Sequence, residues 1–479
     1  MREAWLTYES RFPHMSAWFR ASPEYRFQSA IVGGKKTGSD INLYKLFTER
    51  CFSLLRAGGH CGIVVPGSIY TDLGATGLRQ MLFEEAGVEV LISLSNEKYI
   101  FEGVHHAQKF CFLAFVKGGT TNEFPATFRI NPREAVQPRD LANFIYTDTN
   151  FVHLSVDLIK RLSPDSHSVM EFKSELDVQI AEKMLNFPLL GEKIEGSWNF
   201  RFCNEFHMTN DSKLFKTEPE KGRLPLWEGK QFHQFDANFA EPRYWLNEST
   251  ARAELLSPRL NAVQRVMKRL GAPEEPDPMR IKLNYDSYRM AFRDVAASTN
   301  ERTVIATVLP PKRFCPHTVG LEQVYYDLVS KQGHSSASYL DHSQRLYVTG
   351  LFNSYVFDWF IRLSVTAHVS FFFVYNTPVP RVTAADPRFK PIATRVARLI
   401  CTTTEFDDLA REVGGDIRGA TDPIERSRLR AELDGLVAHL YGLTEAEFAH
   451  ILATFPLVPE PAKQAARNAY RDVERGLIQ

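Results

Sequence analysis

Along the first third of the chain, apolar positions switch between a helical and a strand period. In GSDINLYKLFTERCFSLLRAGG, Tyr44, Phe47, Cys51 and Leu55 recur at helical spacing, with Ser39 or Asp40 as the cap and Gly58-Gly59 as the stop. Cys61 to Val65 is a short unbroken apolar run, the pattern of a strand covered on both faces, so a helix feeds a strand of a mostly parallel sheet. Two further runs, VEVLISL from Val88 and KFCFLAFVKG from Lys109, predict strands joined by NEKYIFEGVHHAQ. This pair is expected at the closing edge of the sheet.

Residues 121–185 carry short mixed patterns and read as a connector. From about Pro188 come many short candidate strands with turn signals, including LPLWEGKQFHQFD from Leu224, SYRMAFRDVAA from Ser287 and RTVIATVLPP from Arg302. One helix stands out: Phe352, Tyr355, Val356, Trp359, Phe360 and Leu363 form an apolar stripe in GLFNSYVFDWFIRLS. FFFVYNTPVP then reads as a strand entering an extended proline segment. After Pro380 the chain turns helical and charged; RSRLRAELDGLVAHLYGL predicts a helix and TEAEF from Thr444 a capping box. These shifts divide the chain at 1–120, 121–185, 186–382 and 383–479.

Composition narrows the class. A chain of 479 residues with 44% apolar and 12% aromatic positions fills about three ordinary domains. Lys+Arg and Asp+Glu balance at 57 each, so a nucleic-acid face has to be a local patch. The six cysteines, Cys51, Cys61, Cys111, Cys203, Cys315 and Cys401, show no zinc or redox spacing and read as buried thiols in a reducing cytoplasm. MREAWLTYESRF lacks the apolar run of a signal peptide, and Ser370 to Tyr375 is too short to cross a bilayer, so no membrane partner is expected.

Taken in order, GGHCGIVVPGSIYTDLGATGLRQML, the strand around Ile92, KYIFEGVHHAQKFCFLAF and a separate strand-rich region resemble the amino-methyltransferases of the gamma arrangement. In these the catalytic domain precedes a DNA-reading domain. The likeness is to the large adenine-specific DNA methyltransferases of type IIG restriction-modification proteins and BREX-type phage resistance. PLWEGKQFHQFD, TNERTVIATVLPP and the final helical stretch resemble their target-recognition region, and the likeness runs from about residue 38 to 455. It implies an α/β fold: the C-terminal half of a Rossmann-like methyltransferase sheet, then an α+β target-recognition domain and a helical tail. It also implies transfer of a methyl group from S-adenosylmethionine to the exocyclic amino group of adenine in double-stranded DNA.

The family binds its cofactor on a glycine-rich loop and attacks from an Asn/Asp-Pro-Pro-aromatic loop, both expected upstream of the helix at Asp40. The sequence holds neither: Pro310-Pro311 follows Leu309, and Gly33-Gly34 sits in the polar stretch VGGKKTGSD. The expectation is a chain that begins just after its own catalytic loop, binds no cofactor alone, carries no catalytic residue, and draws its N-terminal half from a separate polypeptide or a longer frame. A stand-alone DNA-binding specificity module without catalysis is the alternative, and an unrelated α/β protein is a third reading.

An enzyme acting on an exocyclic amino group pulls the base from the duplex and commonly stacks it on an aromatic ring. The resemblance places that ring between the last two strands, at Phe101 in KYIFEGVHH; the other reading is that Phe101 plugs the sheet edge. His105 and His106, adjacent on a strand, point to opposite faces without a companion cluster, and read as surface residues. In SYRMAFRDVAASTNERT, strand period puts Arg289 and Arg293 on one polar face, with Met290 and Phe292 opposite. Those arginines, Arg302 beside Asn300, and Lys230 with His233 are candidate DNA contacts, against the plainer reading of a solvated face paired with nearby acids. No Gly-x-Ser-x-Gly occurs, and Asp341-His342-Ser343 is mere adjacency.

Overall fold

The computed structural model describes residues 2–478 except 30, 33–34, 37–39, 97–100, 106–107, 131–142, 273, 297–299, 366–367 and 416. Gly33, Gly34, Ser39, His106 and the Lys98-Tyr99-Ile100 run before Phe101 thus lie outside the described residues. The chain forms two compact units, Met1–Leu185 and Asn186–Gln479. Residues 121–185 fall in the same compact unit as 1–120, and 383–479 in the same unit as 186–382.

The first unit is built on a five-stranded mixed sheet in the order His60–Pro66, Lys109–Lys117, Ala86–Ser95, Glu123–Ile130, Val152–Ser155. Lys109–Lys117 runs antiparallel to both His60–Pro66 and Ala86–Ser95, and the only parallel pair among the described strands of this sheet joins Ala86–Ser95 to Glu123–Ile130. The expected closing pair therefore lies inside the sheet, which the supposed connector extends by two strands. The expected doubly covered strand is an edge. Burial along His60–Pro66 alternates, with Val65 buried and Val64 exposed beside the exposed Phe112 opposite it.

The preceding helix, Leu43–Leu54, is rotated from the expected stripe: Leu46 and Phe52 are buried, while Phe47 is exposed. Polar residues turn it. Glu49 accepts from the Phe27 N–H (3.1 Å) and the Gln28 amide (2.7 Å), and Lys45 donates to the carbonyls of Asp40 and Gly74, so both are buried. Neither Asp40 nor a side-chain cap opens it; Asn42 occupies that position without a cap bond.

In the second unit a four-stranded antiparallel sheet orders Ala306–Leu309, Arg289–Arg293, Val319–Glu322 and Phe202–Cys203. Arg289, Met290, Ala291 and Phe292 are all buried, which overturns the expected wet face of this strand. The predicted long helix is two, His342–Phe352 and Tyr355–Arg362, broken where Ser354 accepts from the Phe357 N–H. FFFVY is a helical turn, not a strand, because positions 371 and 375 both meet Phe202: Phe371 stacks on its ring (4.8 Å, 13°) and the Tyr375 hydroxyl accepts its N–H. Thr444 and Glu447 form the capping box of Glu445–Ala453. Helices Pro423–Leu440 and Glu460–Glu474 cross at Gly435, where a Cβ would lie 2.8 Å from the Ala469–Tyr470 backbone. No described helix is long and apolar enough to cross a membrane.

Candidate functional site

Phe101 lies between the sheet strands Ala86–Ser95 and Lys109–Lys117, close to where Ser95 pairs with Lys109. Its ring meets Phe110 edge to face (4.9 Å, 89°) and remains 41% exposed. Lys109 precedes Phe110 and so faces the other side of the sheet. There its ammonium lies 2.7 and 2.8 Å from the two oxygens of Glu171, a carboxylate that also accepts from the Tyr70 hydroxyl (2.9 Å). Tyr70 is 2.7 Å from the Ser93 hydroxyl, and burial, then the charge of Glu171, raises its pKa well above the ordinary value. No spacing in the sequence signals this network, because Glu171 lies 62 residues beyond Lys109.

In the second unit the structure separates the five candidate DNA contacts. Arg289 is fully buried and bonded to Glu205 and to the Arg313 carbonyl, so burial keeps its guanidinium, including an Nε without a partner, away from a phosphate. Arg302 is held by Asp358 (2.7 Å) and the Asn353 carbonyl (2.6 Å) and lies over the Tyr355 ring at 4.2 Å. Burial penalises its charge most, but Asp358, Asp434 and Tyr355 together overcome this and raise its pKa.

Lys230, His233 and Arg293 come together around the segment 228–240. Gly229 packs on the Arg293 side chain, whose guanidinium donates to the Phe232 carbonyl. Arg430, Arg426 and Arg313 donate in turn to the carbonyls of Gln234 (3.2 Å), Phe235 (3.3 Å) and Ala237 (3.2 Å). Four guanidiniums thus pin four carbonyls of one loop, and Phe235 takes the left-handed backbone conformation, φ 58°. Lys230 extends from this loop, its side chain 59% exposed and 3.6 Å from Glu228.

Burial, followed by the charges of Arg293 and Arg430, pushes His233 down to about 4. It is therefore uncharged at neutral pH and can meet DNA only as a neutral hydrogen-bonding ring. Arg426 and Arg430 escaped sequence reasoning because they sit on the helix Pro423–Leu440, some 190 residues away.

Residues 23–101 match the Eco57I restriction-modification methylase family, a minority of the chain that ends on Phe101. Enzymes of this class are methyltransferases, and in their complete form use S-adenosylmethionine. Among solved structures, the chain is similar to the type IIL restriction-modification enzyme MmeI in complex with DNA, at 14% identity over 86% of this chain and 51% of that one, TM-score 0.44. It is also similar to the type IIG restriction endonuclease BpuSI (13% identity, 86% and 51%, TM-score 0.31) and to DrdV in its DNA complex (9%, 75% and 39%, TM-score 0.41). The chain spans about half the length of MmeI and BpuSI, 51% of each. No curated protein matches it.

Proposed function

We propose that this chain is the C-terminal portion of an adenine-specific DNA methyltransferase of the gamma arrangement, serving restriction-modification or phage defence on double-stranded DNA. In this reading the first unit is the C-terminal half of a Rossmann-like catalytic sheet. Residues 186–382 read the target, with the helical region 383–479 as their support. The observation that carries the proposal is that the methylase match ends on Phe101, an open ring whose N–H is held by Asn96.

In this reading the cofactor's glycine-rich loop and the Asn/Asp-Pro-Pro-aromatic loop come from residues outside this sequence, on the same or a separate polypeptide, and the residues of this chain are assigned no contact with S-adenosylmethionine. What this chain contributes is the DNA side. Phe101 stacks on the extruded adenine, a contact of about 1–3 kcal/mol. Lys230 meets a phosphate and His233 a neutral partner, on a loop whose shape is set before DNA arrives.

The test combines the chain with a polypeptide bearing both loops, methyl-labelled S-adenosylmethionine and duplex DNA. Label recovered in N6-methyladenine from the combination, with none from the chain alone, is the expected result. Label in cytosine, or turnover by the chain alone, overturns the proposal.

A further inference from the structure

We propose that Asn96 is the positioning residue that holds Phe101 out to receive the base, an inference that rests on the stacking role just given to Phe101. Asn96 follows the last residue of Ala86–Ser95 and is wholly buried. Its backbone N–H donates to the Gln108 carbonyl at 3.0 Å, closing the base of the connection. Its side chain then takes the place of a missing strand rung. The carboxamide oxygen accepts from the Phe101 N–H at 2.9 Å, and the amide nitrogen donates to the carbonyls of Phe101 (3.0 Å) and Val104 (2.8 Å). The Val104 N–H returns to the Phe101 carbonyl at 3.0 Å, so the turn that bears the ring is locked on both sides.

This work calls for one acceptor and two donors on a short arm, which among the side chains only asparagine supplies. Aspartate keeps the acceptor and loses the donors, and glutamine is a methylene too long. Phe110 fixes the ring from one side, Asn96 fixes the backbone beneath it, and the open face is left for a base. Asn96 touches no substrate. It acts by preventing Phe101 from paying the entropy of ordering when the base arrives.

The test uses the full chain and a duplex with one 2-aminopurine opposite an abasic site, a base already free to leave the stack, so no recognition sequence is needed. The readout is the ratio of its Kd to that of the same duplex fully paired. The wild-type chain is expected to prefer the freed base, and Phe101→Ala to lose roughly five- to 150-fold of that preference. Asn96→Ala is expected to lose a comparable share, Asn96→Asp at least as much because its carboxylate would face two carbonyl oxygens, and the double variant no more than Phe101→Ala alone.

A wild-type ratio in Asn96→Ala, with Phe101→Ala impaired, overturns the role of Asn96 and leaves the stacking role standing. Losses that add in the double variant do the same, since they show Asn96 acting other than through Phe101. A wild-type ratio in Phe101→Ala overturns both. Should Asn96→Ala fail to fold, Asn96→Ser, with a hydroxyl on a shorter arm, carries the test, and a wild-type ratio there overturns the inference.

Discussion

In the second unit the charges turn inward and find partners: Arg345 grips Glu322 through two bonds (2.6 and 2.8 Å) with both side chains 1% exposed, and Arg289 and Arg302 are bound to Glu205 and Asp358. The first unit also buries paired charges, Glu171 on Lys109 among them, but it turns many apolar side chains outward as well. The helices Arg2–Glu9 and Arg11–Ala21 bury nothing, leaving Trp5, Phe12 and Trp18 exposed; Leu43, Phe47 and Leu54 stand out from the next helix, and Val64 from the edge strand. Exposed apolar surface on that scale is characteristic of a face that meets something else. The contrast also disciplines the choice of site. Exposure alone does not distinguish Phe101 from its many exposed neighbours in the first unit, whereas a backbone clamped by Asn96 does.

The contrast breaks most sharply at the buried pairs. Arg345→Ala strands the Glu322 carboxylate and is expected to cost about 3–5 kcal/mol in urea unfolding. A loss below about 1 kcal/mol would show that the inward charges of the second unit contribute little.

Next in size is a pH effect. Burial, against the pull of Arg302, pushes the Asp434 carboxyl from 3.8 up to about 7. Between those values the folded chain holds a proton that the unfolded chain has released, so this residue makes stability fall as pH rises from about 4 to about 7. Asp434→Asn keeps an acceptor for the Tyr355 N–H (2.9 Å) and should flatten that fall by up to about 4 kcal/mol, read as the difference between the two chains across pH. Parallel curves would refute it.

A smaller effect separates the cations of the second unit from one another. Lys230→Ala should reduce the slope of log K against log salt for duplex DNA by about one, while Arg289→Ala, buried on Glu205, should leave the slope unchanged in whatever chain still folds. The opposite pattern would return Arg289 to the interface. Smallest of all, Phe47→Ser on the open face of the first unit should change stability by no more than about 0.5 kcal/mol in the same urea measurement.

Signals carried by near neighbours in the chain were legible. The Thr444–Glu447 box opens a helix and the apolar runs at Val88 and Lys109 are strands, although the helix before Gly58-Gly59 already ends at Leu54 with Leu55 as its extended cap. What the sequence did not disclose depended on distant partners. Glu123–Ile130 hides behind Pro125, an uncommon residue for an interior strand, and Val152–Ser155 is four residues long. The alternation in Arg289–Arg293 suggested a wet face because Glu205, the partner that buries Arg289, is 84 residues away. The family likeness nominated Phe101, but nothing in the sequence pointed to Asn96, since a side chain that replaces a backbone rung leaves no pattern beyond its own presence.

Stacking of the Phe101 ring on an extruded adenine is tested by turnover and thermal unfolding measured on the same samples of an enzyme supplied with both loops from outside this sequence. Phe101→Ala is predicted to lower turnover roughly five- to 150-fold with the melting temperature unchanged. Trp or Tyr at the position should retain more activity, because either keeps a stacking face. Full turnover per folded molecule in Phe101→Ala, together with a large drop in melting temperature, would contradict the account and make Phe101 a plug for the sheet edge.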